Sequence, residues 1–121
     1  MRFRLIVCAM GLLVASTANA SAFSLSFKWC GLSSPVFSIS GVPKGTTTLV
    51  FRMVDLQKTD YNHGGGTVVY KGQSSVVCGA LGQSNYSPPS PPPGGHDYQW
   101  TVTAVGSGGN LGSASATRHF P

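Results

Sequence analysis

Five of the six residues from Pro88 to Pro93 are proline, with only Ser90 among them. Each ring holds φ at about −65° and removes a backbone donor, so neither a helix nor a central strand can pass through this stretch. Beyond it the pattern turns regular. Tyr98, Trp100, Val102 and Ala104 alternate with Gln99, Thr101, Thr103 and Val105, which is the period of a half-buried strand. A stiff loop therefore delivers His96 and Tyr98 to the head of a strand, a support well suited to site residues.

The rest of the chain repeats the strand signal. Phe23, Leu25, Phe27 and Trp29 alternate with Ser24, Ser26 and Lys28. Val36–Ser40 is a short second strand, and Gly41-Val-Pro-Lys-Gly45 is a turn. Thr48–Asp55 is the longest apolar strand, with Leu49, Phe51, Met53 and Asp55 on one face. Gln57–Gly66 reads as an irregular loop. Thr67–Tyr70 and Ser75–Cys78 are short strands, Gly79–Gly95 is loop, and Tyr98–Val105 is the regular strand after the prolines. Gly106–Gly112 reads as a glycine-rich turn before a closing strand at Ser113–Phe120. No window keeps apolar residues at helical spacing. The pattern predicts an all-β sandwich or barrel with few or no helices.

The N-terminal residues read differently. Met1-Arg-Phe-Arg4 is basic, Leu5–Ala15 is apolar, and Ala18-Asn-Ala20 and Ala20-Ser-Ala22 are small-x-small cleavage signals. Residues 1–22 are therefore expected to be a signal peptide, cleaved after Ala20 or Ala22, with residues 23–121 as a single domain. The alternative, a membrane anchor, asks more length than the apolar run has. Export to a bacterial periplasm or the extracellular space is the consequence. Cys30 and Cys78 remain after cleavage, and an even pair in an exported chain reads first as a disulfide, with two buried thiols as the alternative. Six basic residues and three aspartates are left, with no glutamate. The basic residues are scattered, which argues against nucleic acid as a partner but tolerates an anionic ligand or peripheral contact with a membrane.

Three polar residues stand at strand ends. Asp55 closes an apolar strand on its inward face, His63 precedes Gly64-Gly-Gly66, and His96 comes after the proline loop. If these ends lie together, two imidazoles and glycine N–H groups can hold an anion, and Asp55 can orient one ring. The plainer alternatives are surface histidines and an Asx-turn at Asp55.

The segment Tyr86-Ser-Pro-Pro-Ser-Pro-Pro-Pro-Gly-Gly-His96-Asp-Tyr98 resembles the Tyr-x-Gly-Pro-x-Pro-Pro-x-Gly-x-His-x-Tyr stretch of the phosphatidylethanolamine-binding protein family, whose bacterial members are often called Raf kinase inhibitor-like. Ser34-Pro-Val-Phe-Ser-Ile-Ser-Gly-Val-Pro-Lys-Gly-Thr46 is similar to that family's opening Ser-Pro-x-Phe-x-Leu-x-Gly-Val-Pro-x-Gly-Thr. Met53-Val-Asp55 sits where the family has Asp-x-Asp-x-Pro, and Asn62-His-Gly-Gly-Gly66 where it has a pocket histidine. The resemblance runs from about Ser34 to Val105. It implies an antiparallel β-sandwich with a pocket at one end for a small anion, such as phosphate or a phospholipid head group. By position, Asp55, His63, His96 and Tyr98 would line the pocket, and Tyr86, Pro89, Pro91 and Pro92 would form its wall. Gln57 replaces the motif's second aspartate, Thr59 its proline, Pro88 a glycine, and Ser90 a frequent cysteine or glycine.

A binding protein is the first expectation. No serine sits in a nucleophile elbow, and no cysteine and histidine lie close in sequence, so no enzyme and no catalytic residues are expected. No His-x-x-x-His or paired cysteines suggest a metal, and no cofactor is expected. The other expectation is a secreted interaction or inhibitor protein that works through its surface and its proline-rich loop, which is able to adopt polyproline II.

Overall fold

The computed structural model describes residues 22–121. The signal-peptide reading therefore falls, but for Ala22, outside the described residues. Seven strands run in order: β1 (Ser24–Cys30), β2 (Ser33–Ser40), β3 (Thr48–Asp55), β4 (Gly65–Val69), β5 (Ser75–Val76), β6 (His96–Gly106) and β7 (Gly109–Phe120). Among the described residues there is no helix. β1, β2 and β5 form one sheet in the order β1-β2-β5; the other four form a second in the order β4-β3-β6-β7. All pairings between strands are antiparallel.

The alternation in sequence sets what faces inward. Leu25 and Phe27 of β1 and Phe37 and Ile39 of β2 meet Leu49, Phe51 and Met53 of β3 and Trp100, Val102 and Ala104 of β6. The Phe37 ring lies 4.4 Å from Phe51 and 5.0 Å from Trp100, centroid to centroid, so aromatic contacts join the two sheets at their middle. Each such buried side chain contributes about 1.5–3 kcal/mol relative to exposure. Along one side, Trp29 Nε1–H donates to the His119 carbonyl (2.9 Å) and Arg118 donates to the Phe27 carbonyl (3.1 Å), which ties β1 to β7. Cys30 and Cys78 are joined as a disulfide.

Several boundaries differ from the sequence reading. β2 begins at Ser33 and so contains Pro35. The β1–β2 register shifts between Lys28 and Cys30, where β1 passes Ser34 and Pro35, because proline has no N–H for the ladder. β5 is only Ser75–Val76. The expected long turn at Gly106–Gly112 contracts to Ser107-Gly108, since glycine at each side of it allows a tight hairpin, and the register shifts after Ala104.

Candidate functional site

The β3–β6 ladder ends on a polar rung. Phe51 faces Val102, Met53 faces Trp100, and Asp55 faces Tyr98. The period of two that buries the apolar pairs thus also buries Asp55, which is 4% exposed. His96, two residues before Tyr98, reaches Asp55 on the same face. Its Nδ1–H donates to Asp55 Oδ2 at 2.6 Å, and the Gln57 N–H donates to Oδ1 at 2.9 Å. Asp55 therefore both starts an Asx-turn and orients an imidazole. Burial acts to raise its carboxyl pKa. The hydrogen bonds from His96 and Gln57 and the charges of His96 and His63 outweigh burial, so the carboxyl lies below its ordinary 3.8. The Tyr98 phenol is shifted upward, first by burial and then by the charge of Asp55 and a hydrogen bond to it; a main-chain bond from Ser90 acts the other way.

His63 arrives by a different route. The Gly64 carbonyl accepts from the Met53 N–H (3.0 Å), the Gly65 N–H donates to the Asn85 carbonyl (2.9 Å), and the Ser87 N–H donates to the His63 carbonyl (2.9 Å). Residues 85–87 thus lie alongside 63–65, and this anchors the start of the proline loop beside the histidine. Only glycine fits: a β-carbon on Gly64 would strike the Asn85 carbonyl, and one on Gly65 the Phe51 carbonyl. The His63 Nδ1–H donates to the Ser87 carbonyl at 2.7 Å. Its ring stands edge-on to Tyr98 (5.5 Å) and lies against Tyr61 (4.5 Å).

These groups surround a cavity of about 470 Å³ lined by Asp55, Lys58, Tyr61, His63, Ser87, Pro88, Ser90, Pro91, Pro92, His96 and Tyr98. Asp55, His63, His96, Tyr98, Pro91 and Pro92 thus meet at one cavity. Tyr86 and Pro89, expected in the pocket wall, are not among the residues that line this cavity. Pro89 is buried between the lining residues Pro88 and Ser90 of the same loop. Tyr86 is a core residue, with its ring 5.5 Å from Trp100 and its hydroxyl buried without a partner among the described residues. Burial, and then the charge of Tyr98, push that phenol up to about 12. Lys58, Tyr61 and Ser87 join the cavity without having stood out in the sequence. The loop from Asp55 to His63 must return to the same end of the sandwich, and that constraint is the available signal for Lys58 and Tyr61.

A larger groove of about 720 Å³ adjoins the cavity, lined by Arg52, Asn62, Gly64–Gly66, Thr67 and residues 83–88, and shares His63, Ser87 and Pro88 with it. Asp55, Lys58, His63 and His96 converge in the smaller cavity. Each cavity imidazole is fixed through Nδ1, and Nε2 has no protein partner among the described residues. A proton taken up at Nε2 makes each ring a charged donor. Lys58 is exposed and forms no ion pair among the described residues. Among those residues, no three His, Cys, Asp or Glu side chains form a metal-ligating group.

No protein-family model matches the chain, and no curated protein matches it. Its fold matches the crystal structure of a protein from Chlamydia trachomatis described as a putative homologue of phosphatidylethanolamine-binding proteins. The TM-score is 0.59 at 18% sequence identity, over 83% of this chain and 97% of that one. The chain thus has the fold of a phosphatidylethanolamine-binding protein homologue.

Proposed function

We propose that this chain is an exported binding protein that holds a small anion, such as phosphate or a phospholipid head group, in the cavity at the end of β3 and β6. One observation carries the reading. Asp55, His63, His96 and Tyr98 meet at one cavity, with each imidazole tethered through Nδ1 and its other nitrogen uncommitted. The name of the chlamydial homologue supports the ligand class. The leader-like residues 1–22 and the Cys30–Cys78 bond support export. Binding is favoured over catalysis because the cavity hydroxyls of Tyr61 and Ser87 engage each other (3.1 Å), and neither bonds to an imidazole among the described residues.

Proton NMR of the histidine rings tests the proposal. Addition of phosphate or phosphoethanolamine should shift the His63 and His96 resonances together. His119 is the internal control: its Nδ1 faces Asp97 Oδ1 and its Nε2 the Gly94 carbonyl, each at 2.9 Å, and it does not line the cavity. Silence of His63 and His96 up to millimolar ligand, or equal response of all three rings, would remove the anion site.

A further inference from the structure

The charged groups around the cavity are unequally committed. Among the described residues Asp55 is its only carboxylate, and both oxygens are engaged: Oδ1 by the Gln57 N–H and Oδ2 by His96. Its side chain is 6% exposed. Gln57, the nearest polar side chain after it, is also occupied, with Oε1 accepting from the Asp97 N–H at 2.6 Å. The Ser87 carbonyl takes the His63 N–H. Asp60 does not line the cavity, and Asp97 is paired with His119. An ammonium group entering here meets no free carboxylate among the described residues.

The opposite sign is available. Lys58 lines the cavity, and its position is set by the main chain. Its N–H donates to the Asp55 carbonyl and its carbonyl accepts from the Tyr61 N–H, both at 3.1 Å. No carboxylate pairs with its ammonium among the described residues. His63 and His96, each with Nε2 uncommitted among the described residues, line the same cavity. A phosphomonoester carries about −1.5 to −2 charges at pH 7, with three acceptor oxygens. A diester carries a single charge, and a zwitterionic head group adds a cation that Lys58 repels.

We infer that the cavity selects a terminal phosphate group, free or as a monoester without a cationic group, over phosphodiesters and over phosphoethanolamine, with Lys58 as the specificity-determining residue. This rests on the proposed anion-binding function. The phosphate group can come from a soluble phosphate or from a phosphatidic acid head group, since both present the same terminal group.

The test is calorimetric titration at pH 7 with inorganic phosphate, dimethyl phosphate and phosphoethanolamine, together with co-sedimentation on phosphatidylcholine vesicles with and without phosphatidic acid. Phosphate should bind more tightly than the other two soluble probes. Lys58→Gln should weaken phosphate by up to roughly five-fold, the upper end for an exposed charge pair, and narrow its lead over phosphoethanolamine. Lys71→Gln, which removes a cation that does not line the cavity, should change neither. Sedimentation only with phosphatidic acid identifies the lipid as source; phosphate binding without it identifies the soluble compound, and both support the inference. If phosphoethanolamine or dimethyl phosphate matches phosphate, or if Lys58→Gln changes nothing, the inference is overturned while the anion site stands. If no phosphate compound binds, the anion-site reading fails and takes the inference with it.

Discussion

Asp55 holds the site together through two bonds of different kinds, one to a neighbouring main-chain N–H and one to an imidazole from another strand. Asp55→Asn keeps an acceptor for Gln57 but loses the charge-assisted bond to His96. Such bonds contribute about 1.5–3 kcal/mol, so the variant should be less stable by about 2 kcal/mol at neutral pH. The lowered carboxyl sets the sign with pH. A group whose folded pKa is depressed adds stability above its ordinary value, here 3.8, and loses it as pH falls through the depressed folded value. Urea unfolding of both proteins across that range should show the gap between them closing in acid. A gap that stays constant would mean that the carboxylate charge does not matter. Asp55 and His96 are legible in the sequence because the period of two and the proline loop point to them. Gln57 is not. Beside a family motif it looks like a lost carboxylate, whereas in three dimensions its side chain caps the Asp97 N–H at the head of β6. That function depends on a strand distant in sequence, which no local pattern records.

The short segment that carries His63 illustrates what an element demands of its residues. Gly64 and Gly65 are squeezed between β3 on one side and residues 85–87 on the other. Gly65→Ala places a methyl group against the Phe51 carbonyl in the middle of the four-stranded sheet. The sheet must shift to accept it, at a cost of about 3 kcal/mol, the upper part of the usual overpacking range. The same shift should displace His63 and weaken phosphate binding. Gly108→Ala is the control, since its β-carbon would meet nothing within 4 Å and should change stability by about 0.5 kcal/mol or less. Thermal melts of the two variants separate the cases, and equal losses would show that the close approach at Gly65 is not the constraint. Glycine in a sequence cannot say which of these it is. Gly64-Gly-Gly66 and Gly106–Gly112 both read as loop, yet Gly65 begins β4 and Gly109 begins β7. Tight packing calls for glycine in one place and a two-residue turn in the other. Strand existence is legible from alternation; strand ends are not, because glycine serves strands, bulges and turns alike.

The two sheets of the molecule are unequal. The four-stranded sheet has two long strands, β6 and β7, and supplies the whole ladder beneath the cavity. The three-stranded sheet ends in β5, only two residues long, whose register with β2 is two pairs, Phe37 with Val76 and Ser38 with Ser75. Such a strand holds little by its own hydrogen bonds, and the disulfide compensates. It joins the end of β1 to Cys78, two residues beyond β5, across a sequence separation of 48. Closing a loop of that length restricts the unfolded chain by about 4 kcal/mol in the chain-entropy account. That is a large share of the roughly 5–15 kcal/mol that a domain of this size commands. The cavity residues lie on β3, β6 and the loops at residues 56–64 and 87–95, none of them on β1, β2 or β5. The bond should therefore govern stability and leave recognition alone. The paired variant Cys30→Ser/Cys78→Ser should unfold in urea with about 4 kcal/mol less stability, while its remaining folded fraction binds phosphate with unchanged affinity at low temperature. Loss of affinity in fully folded variant would show that the small sheet shapes the cavity through Trp29, which stands beside Cys30 with its ring 5.7 Å from Tyr98. Unchanged stability would show instead that β5 is held by its packing, with Val76 in the core, and not by the covalent link.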